Sequence, residues 1–224
     1  MGTYILTSLF PNGIGEQLAD VLRELIVKRG HFAFIASDFR KEAQEETDHH
    51  AQGIGNLLES IGIRFERYSI IDARMSPEQA RKEVEHADVV WLAGGDTPTE
   101  YAAMKEYGLC EVLQQHTGVI IGMSAGSINM GREAVCTLTC GHDRQQVYPA
   151  LGLVEWSVEP HFHPDGPLEE LLELSKSYCI YGLCDEGAIL RVDGAYRFYG
   201  EIYRMQDGKI EPVNSLPVSE NLSL

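Results

Sequence analysis

Residues 118–130 read G-V-I-I-G-M-S-A-G-S-I-N-M, and this stretch decides the fold. The apolar run at 119–122 predicts a short buried strand, and the pattern G-x-S-x-G at 122–126 predicts a tight turn that leads into a helix. Such a turn strains Ser124, exposes its hydroxyl, and leaves the N–H of Ala125 without an intrahelical acceptor. We interpret Ser124 as a candidate nucleophile, and an ordinary small-residue turn is the alternative.

The sequence before this stretch alternates between strand and helix patterns. A capping box at 76–79, with proline at the first helical position, marks one helix start. Alternation of this kind predicts an α/β fold, a three-layer sandwich in which helices cover both faces of a mostly parallel sheet. Gly94, Gly95 and Ser124 each follow a strand, so we expect them to meet at the carboxyl edge, where such sheets bind ligands. The strands are predicted at residues 4–8, 31–37, 63–68 and 88–93.

The second half of the chain has a different pattern. Strands are predicted at 135–140, 157–162 and 180–184, and a helix follows Pro167. Asp193-Gly194 predicts a hairpin turn between two further short strands, and Asp207-Gly208 suggests a second. We therefore expect a small antiparallel C-terminal hairpin region, within a single domain that spans residues 1–224.

The composition restricts the class of partner. The net charge of −16 argues against nucleic acid or an anionic membrane, because either would require a positive surface. The five cysteines form no C-x-x-C pair, and the sequence shows neither a signal-peptide pattern nor an apolar run long enough to span a membrane. A cytoplasmic protein with reduced thiols is expected, and a homodimer is left open.

A serine nucleophile needs a histidine base and an acid that orients it. His161 and His163 lie at the end of an apolar strand, where alternation would point both to the same side. Asp143 precedes them and Asp185 and Glu186 follow, and spacing alone does not select the acid. The H-x-H pair could also suit a metal ion, but no third ligand stands at a matching spacing, so no metal or cofactor is expected.

Four motifs in order resemble the dipeptidase E (aspartyl dipeptidase) family of serine peptidases. They are G-G-D-T at 94–97, G-x-S-A-G at 122–126, P-H-F at 160–162 and G-L-x-D-E-G at 182–187. Cyanophycinases are more distant relatives. The resemblance covers nearly the whole chain and implies a fold like that of class I glutamine amidotransferases, with serine in place of their cysteine.

The resemblance also implies roles for individual residues. Ser124 matches the nucleophile, His161 the base and Glu186 the proposed acid, although the cyanophycinase pattern points to an acid between serine and histidine. Gly95 and Ala125 match the two backbone donors to the oxyanion. The chain departs from the family pattern at residue 127, where serine stands in place of a frequent alanine, and in the additional histidine at 163.

The resulting expectation is a serine peptidase that hydrolyses short peptides, as a dipeptidase that prefers N-terminal aspartate. An acidic side chain bound by so acidic a protein requires a local cation, and arginine suits a carboxylate best. Arg132, Arg144 and Arg191 lie near the predicted site, and Arg144 is favoured because its loop belongs to no predicted element.

Two alternatives remain at this point. One is an esterase of the α/β-hydrolase type, with the order Ser124, Asp143 and His161. The other is a non-catalytic sensor of the same fold that binds an amino-acid-like ligand.

Overall fold

The computed structural model describes residues 2–213; Met1 and residues 214–224, which the single-domain prediction also includes, lie outside the described residues. A short 3-10 turn at Lys41–Ala43 precedes the second helix. The helices are α1 (Glu16–Leu25), α2 (Gln44–Ser60), α3 (Pro77–Glu85), α4 (Thr97–Glu106), α5 (Leu109–Gln115), α6 (Ala125–Asn129) and α7 (Glu169–Leu174). The strands are β1 (Thr3–Thr7), β2 (His31–Ile35), β3 (Arg67–Ile71), β4 (Val89–Leu92), β5 (Val119–Met123), β6 (Glu133–Cys136), β7 (Gln146–Pro149), β8 (Ser157–Pro160), β9 (Ile180–Leu183), β10 (Ala188–Val192), β11 (Ala195–Tyr199), β12 (Ile202–Gln206) and β13 (Lys209–Pro212).

The largest sheet has seven strands in the order β11-β10-β1-β5-β4-β2-β3. Five of these strands, β1, β5, β4, β2 and β3, are parallel to one another. The other two are antiparallel: β10 pairs with β1, and β11 pairs with β10. Apolar residues on both sides of each central strand explain why this sheet is covered on both faces. Phe34 and Trp91 pack on the side that carries α1 and α2, and Ile35 and Leu92 pack on the side that carries α3 to α6. The predicted three-layer α/β sandwich is confirmed.

The predicted antiparallel hairpins of the C-terminal part are present, and each of them extends a larger sheet. The turn at Asp193-Gly194 does join β10 to β11, but this hairpin extends the main sheet because β10 pairs with β1. The second hairpin, β12 and β13, belongs to a four-stranded sheet in the order β13-β12-β9-β8. In that sheet β8 and β9 are parallel, and β6 pairs with β7 to form a third, two-stranded sheet. Sequence patterns indicated most of these strands, although not β7, and carried no information on their partners.

The structure corrects the bounds of several predicted strands, among them the strand predicted at 135–140, which is Glu133–Cys136. The strand predicted at 63–68 is instead Arg67–Ile71, which pairs with β2 from His31 onward. Ile63 and Phe65 are buried in the core on the α1 and α2 side, and this burial produced the strand-like pattern. The strand predicted at 157–162 ends at Pro160, which matters for the site described below. In the described residues no helix is both long enough and apolar enough to cross a membrane.

Two glycines allow the turn between β5 and α6. A Cβ at Gly126 would lie 2.4 Å from the carbonyl oxygen of Leu92, and one at Gly122 would lie 2.7 Å from the backbone nitrogen of Ser127. Both distances are shorter than real Cβ contacts, so α6 packs with its backbone directly against β4 and β5. The glycines of the G-x-S-x-G pattern are therefore requirements of packing.

The replacement Gly126→Ala should destabilise the fold. The new methyl group meets backbone, which cannot rotate away, so the free energy of unfolding should fall by about 1–3 kcal/mol or more. Urea unfolding followed by circular dichroism measures this. Gly55→Ala in α2 is the control, because its Cβ would make an ordinary contact of 3.8 Å with the Tyr68 ring. Equal stabilities of the two variants would contradict the packing argument.

Candidate active site

Ser124 lies where β5 ends and α6 begins. Its backbone has φ 51° and ψ −110°, a conformation that residues other than glycine rarely adopt. The Ser124 N–H donates to the Thr7 carbonyl at 3.0 Å, and the Gly126 N–H donates to the Ala93 carbonyl at 3.0 Å. Strands on both sides therefore hold the strained turn, and the serine stands at the carboxyl edge of the main sheet, as its sequence pattern predicts.

His161 reaches Ser124 from the four-stranded sheet. It follows the last residue of β8 and has φ 55°, so the chain turns sharply at this residue. The next residue, Phe162, fixes the turn by donating its N–H to the Leu183 carbonyl at 3.0 Å. His161 Nε2 lies 2.9 Å from Ser124 Oγ, a distance that suits a hydrogen bond.

The other ring nitrogen of His161 contacts Asp185. His161 Nδ1 lies 3.1 Å from Asp185 Oδ1. Ser8, directly after β1, donates its hydroxyl to the same Asp185 oxygen at 3.0 Å and accepts the backbone N–H of His161 at 2.9 Å. With Nδ1 protonated toward Asp185, Nε2 is left to accept the Ser124 proton, which is the arrangement a general base needs.

Three other sequence candidates lie elsewhere. Glu186 has φ 67° and accepts a hydrogen bond from Asn12 Nδ2 at 2.6 Å, so the structure brings Asp185 rather than Glu186 to His161. Asp143 is exposed in the loop between β6 and β7, and the carboxylate that contacts the histidine is that of Asp185. His163 is also exposed, and the expectation that alternation would place it beside His161 is wrong because β8 ends at Pro160.

Gly95 and Ala125 border the serine with their backbone. Gly95 has φ 152°, and a Cβ there would lie 2.3 Å from Ser37 Oγ, so only glycine fits. Among residues 2–213, the N–H groups of Gly95 and Ala125 have no hydrogen-bond acceptor. Two unpartnered donors beside a strained serine are the features that stabilise an oxyanion.

Two cavities meet at Ser124. The larger cavity has about 520 Å³, and its wall includes His161 and residues of α2. The smaller cavity has about 130 Å³ and lies on the other side, against Asp96, Thr97 and the loop residues 140–143. Ser124 and Gly95 line both cavities, so a bound molecule could extend to either side of the serine hydroxyl. Within residues 2–213, no group of three or more His, Cys, Asp or Glu side chains is arranged to hold a metal ion.

Buried polar groups support the smaller cavity. Thr97 Oγ1 lies 2.9 Å from His142 Nε2, which ties the loop to α4. Deeper in the core, the fully buried Glu100 accepts a hydrogen bond from Asn129 at 2.8 Å. Burial raises the pKa of Glu100 to about 8, so its carboxyl group is mainly protonated at neutral pH. Burial likewise raises the pKa of Glu159, close to His161 in the chain, to about 8.

The three candidate arginines differ in their surroundings. Arg132 forms an ion pair with Glu155, and Arg191 donates to the Leu153 carbonyl at 2.9 Å. Arg144 is exposed in the loop whose residues 140–143 border the smaller cavity. Among the described residues that line the two cavities, none is lysine or arginine. Of the three, Arg144 belongs to the loop that borders a cavity lined by Ser124.

Sequence reasoning missed the role of two serines. Ser8 connects Asp185 with the His161 backbone, and its signal was a polar residue at the end of a buried strand next to β5. Ser127 is fully buried; its hydroxyl accepts the Thr7 N–H at 2.8 Å and lies 2.7 Å from the Gly122 carbonyl. The serine at 127 therefore fixes the ends of β1 and β5, and it faces neither cavity.

Comparison with known proteins gives a consistent result. The sequence model of peptidase family S51 matches residues 14–198. A peptidase from an acI-B1 Actinobacterium has 19% identity and a TM-score of 0.69, over 95% of this chain and 93% of the other. A putative peptidase E protein from Listeria monocytogenes EGD-e has 20% identity and a TM-score of 0.62, over 92% of this chain and 98% of the other. At these identities the two structures support the fold alone. No curated protein sequence matches the chain significantly.

The contacts of His161 predict which carboxylate controls the reactivity of Ser124. Asp185→Asn should slow labelling by a fluorophosphonate by roughly 10²- to 10⁴-fold, because the amide no longer favours the required tautomer or stabilises imidazolium. Glu186→Gln, the matched control one residue along the chain, should change the rate little. Labelling rates measured by mass spectrometry at Ser124 test this. A larger loss of labelling rate in Glu186→Gln than in Asp185→Asn would instead support Glu186, the acid that the family resemblance implies.

Proposed function

The chain belongs to peptidase family S51 and is a serine peptidase, and from this premise we propose that it hydrolyses short peptides with Ser124 as nucleophile, His161 as base and Asp185 as the orienting acid. One observation carries the assignment of roles. Ser124 Oγ, the His161 ring and Asp185 Oδ1 form a continuous chain of contacts of 2.9 and 3.1 Å beside two cavities. Nucleophile, base and orienting acid in hydrogen-bond reach are the arrangement that acyl transfer to serine requires.

The proposed reaction has two halves. In the first, Ser124 Oγ bonds to the peptide carbonyl carbon while its proton moves to His161 Nε2, and the N–H groups of Gly95 and Ala125 bind the oxyanion. The carbon–nitrogen bond then breaks, its electron pair stays on nitrogen, and the leaving amine takes the proton from Nε2. In the second half, water attacks the serine ester by the same route, which releases the acid and returns the proton to Ser124.

The position of His161 orients the substrate in this proposal. Because Nε2 must protonate the leaving nitrogen, the leaving residue lies on the side of Ser124 where His161 stands, which is the larger cavity. The residue that forms the acyl-enzyme then occupies the smaller cavity of about 130 Å³. A space of that size, walled by the loop residues 140–143, accommodates about one residue. This supports a dipeptidase that removes the N-terminal residue.

The preference for N-terminal aspartate is part of the same proposal. A substrate with aspartate first carries an ammonium and a side-chain carboxylate close together. Asp96 and Asp143 border the smaller cavity and could pair with the ammonium, and the adjacent Arg144 could bind the carboxylate through its planar fork. We place the enzyme in the cytoplasm, because its five cysteines are free thiols, the state that reducing compartments maintain.

The replacement Ser124→Ala should abolish dipeptide hydrolysis and leave the fold intact. Removing one hydroxyl at a cavity surface creates no buried void, whereas loss of the nucleophile typically costs roughly 10⁴- to 10⁶-fold in turnover. His161→Ala should be about as damaging. Turnover of Asp-Leu, with circular dichroism as the fold control, measures both. His163→Ala is the matched histidine control, and near-normal turnover in the Ser124→Ala variant would disprove the assignment of the nucleophile.

The replacement Arg144→Met should lower kcat/KM for Asp-Leu by roughly 10- to 100-fold, the cost of a lost charge-assisted hydrogen bond of about 1.5–3 kcal/mol. Hydrolysis of Ala-Leu should change much less, because alanine offers no carboxylate side chain. Arg132→Met is the matched control, since Arg132 is paired with Glu155. The ratio of kcat/KM for Asp-Leu to kcat/KM for Ala-Leu should therefore fall only in Arg144→Met. If that ratio is the same in the unaltered protein and in both variants, the acidic-substrate preference fails while the peptidase assignment stands.

A further inference from the structure

The larger cavity beside Ser124 is mainly apolar. Its apolar wall consists of side chains from β2, α2 and β5 and from the loop after β1. Among the described residues that line it, none is aspartate, glutamate, lysine or arginine. The histidines of α2 that border it, His49 and His50, are exposed. The apolar wall is formed chiefly by Leu9, Phe10, Phe34, Ile54, Leu57 and Met123.

A wall of this composition favours an apolar occupant. A charged side chain placed against this apolar wall would lose hydration and find no charged partner among those lining residues. A large apolar side chain would instead be removed from water against aliphatic and aromatic surface. The volume of about 520 Å³ is ample for a leucine or phenylalanine side chain.

The two cavities differ in the chemistry they offer. The smaller one, about 130 Å³, is bordered by Asp96, Thr97, His142 and Asp143, so its border is polar and acidic. The larger one shares Ser124 with it but includes His161, the group that donates a proton to the leaving amine in the proposed reaction. The two cavities, which lie on either side of the scissile bond in the proposed reaction, therefore differ in both size and polarity.

We propose that the larger cavity binds the side chain of the leaving residue, and that the enzyme selects dipeptides whose second residue is large and apolar. This inference rests on the proposed function, because it uses His161 as the proton donor to the leaving nitrogen. It assigns specificity to the second residue of the substrate, whereas Arg144 concerns only the first. The leaving product is an apolar amino acid.

Gly53 lines this cavity without contributing a side chain. It lies on α2, and a Cβ placed on it would have no atom within 4 Å. A larger side chain at 53 would therefore displace no neighbour, and from this lining position it can reach into the cavity. Such a substitution fills the proposed binding site and leaves Ser124, His161 and Asp185 unchanged.

The test uses dipeptides that differ in one position. The unaltered protein should hydrolyse Asp-Phe and Asp-Leu with kcat/KM roughly 10- to 100-fold above Asp-Gly, the gain expected from burying a large apolar side chain. The ratio of kcat/KM for Ala-Phe to that for Ala-Gly should equal the ratio for Asp-Phe to Asp-Gly, because the second residue is bound independently of the first. Phe-Gly should gain nothing over Ala-Gly, since its apolar side chain would face the small acidic cavity. Equal rates for Asp-Phe and Asp-Gly, or a preference for Phe-Gly over Ala-Phe, would overturn the inference.

The variant Gly53→Leu should reduce this selectivity. It should lower kcat/KM for Asp-Phe by at least about 10-fold and leave Asp-Gly nearly unchanged, with Gly53→Ala intermediate. Gly55→Leu is the matched control, because it makes the same change in the same helix at a position that does not line the cavity. An equal loss on both substrates, or equal effects of the changes at 53 and 55, would overturn the inference.

Labelling of Ser124 by a small fluorophosphonate separates the two proposals. Normal labelling of Gly53→Leu shows that its site is intact, so a selective loss of Asp-Phe hydrolysis then supports the inference. Labelling of the unaltered protein together with equal hydrolysis of all second residues overturns the inference alone. Absence of both labelling and hydrolysis in the unaltered protein overturns the proposed function and this inference with it.

Discussion

The direct contact between the α6 backbone and strand β4 is the constraint on which the rest of the site depends. Gly126 has no side chain, and its Cα faces the Leu92 carbonyl so closely that a Cβ would lie 2.4 Å from it. The chain that leaves β5 must therefore turn within one residue, and that residue is Ser124, with φ 51°. Strain at a single residue of this kind costs about 1–3 kcal/mol and persists only where its surroundings hold it. Here the hydrogen bonds from Ser124 to Thr7 and from Gly126 to Ala93 do so.

The second requirement is the meeting of two sheets. Ser8 and Ser124 follow adjacent parallel strands of the main sheet, whereas His161 and Asp185 follow the paired strands β8 and β9 of the other. The Ser8 hydroxyl joins the two sets, since it donates to the Asp185 carboxylate and accepts the His161 N–H. One hydroxyl therefore positions both the ring and its carboxylate partner. Because all four residues stand at strand ends, small shifts between the sheets would separate them.

The distribution of charge around the site follows from burial. The protein carries a formal net charge of −16, yet two of its carboxyl groups, Glu100 and Glu159, lie buried close to the site, and burial raises the pKa of each to about 8. Their protonation at neutral pH removes negative charge from the interior, while Asp96 and Asp143 remain at the border of the smaller cavity. The apolar larger cavity on the opposite side gives the site a polarity gradient across Ser124. In the proposed reaction that gradient distinguishes the charged N-terminal end of a peptide from its leaving residue.

The sequence by itself determined the layered fold and the serine turn. Both are encoded locally: alternation of strand and helix periodicity predicts a parallel sheet, and G-x-S-x-G needs glycines where backbone meets backbone. The order of motifs also identified the family and the histidine at 161. Only the tertiary structure decided which acidic residue meets that histidine. Asp185 and Glu186 are neighbours in the chain, and the turn at φ 67° sends their side chains to different partners, His161 and Asn12. Strand partners, the bridging position of Ser8 and the two cavities likewise depend on contacts between residues far apart in sequence, which no local pattern encodes.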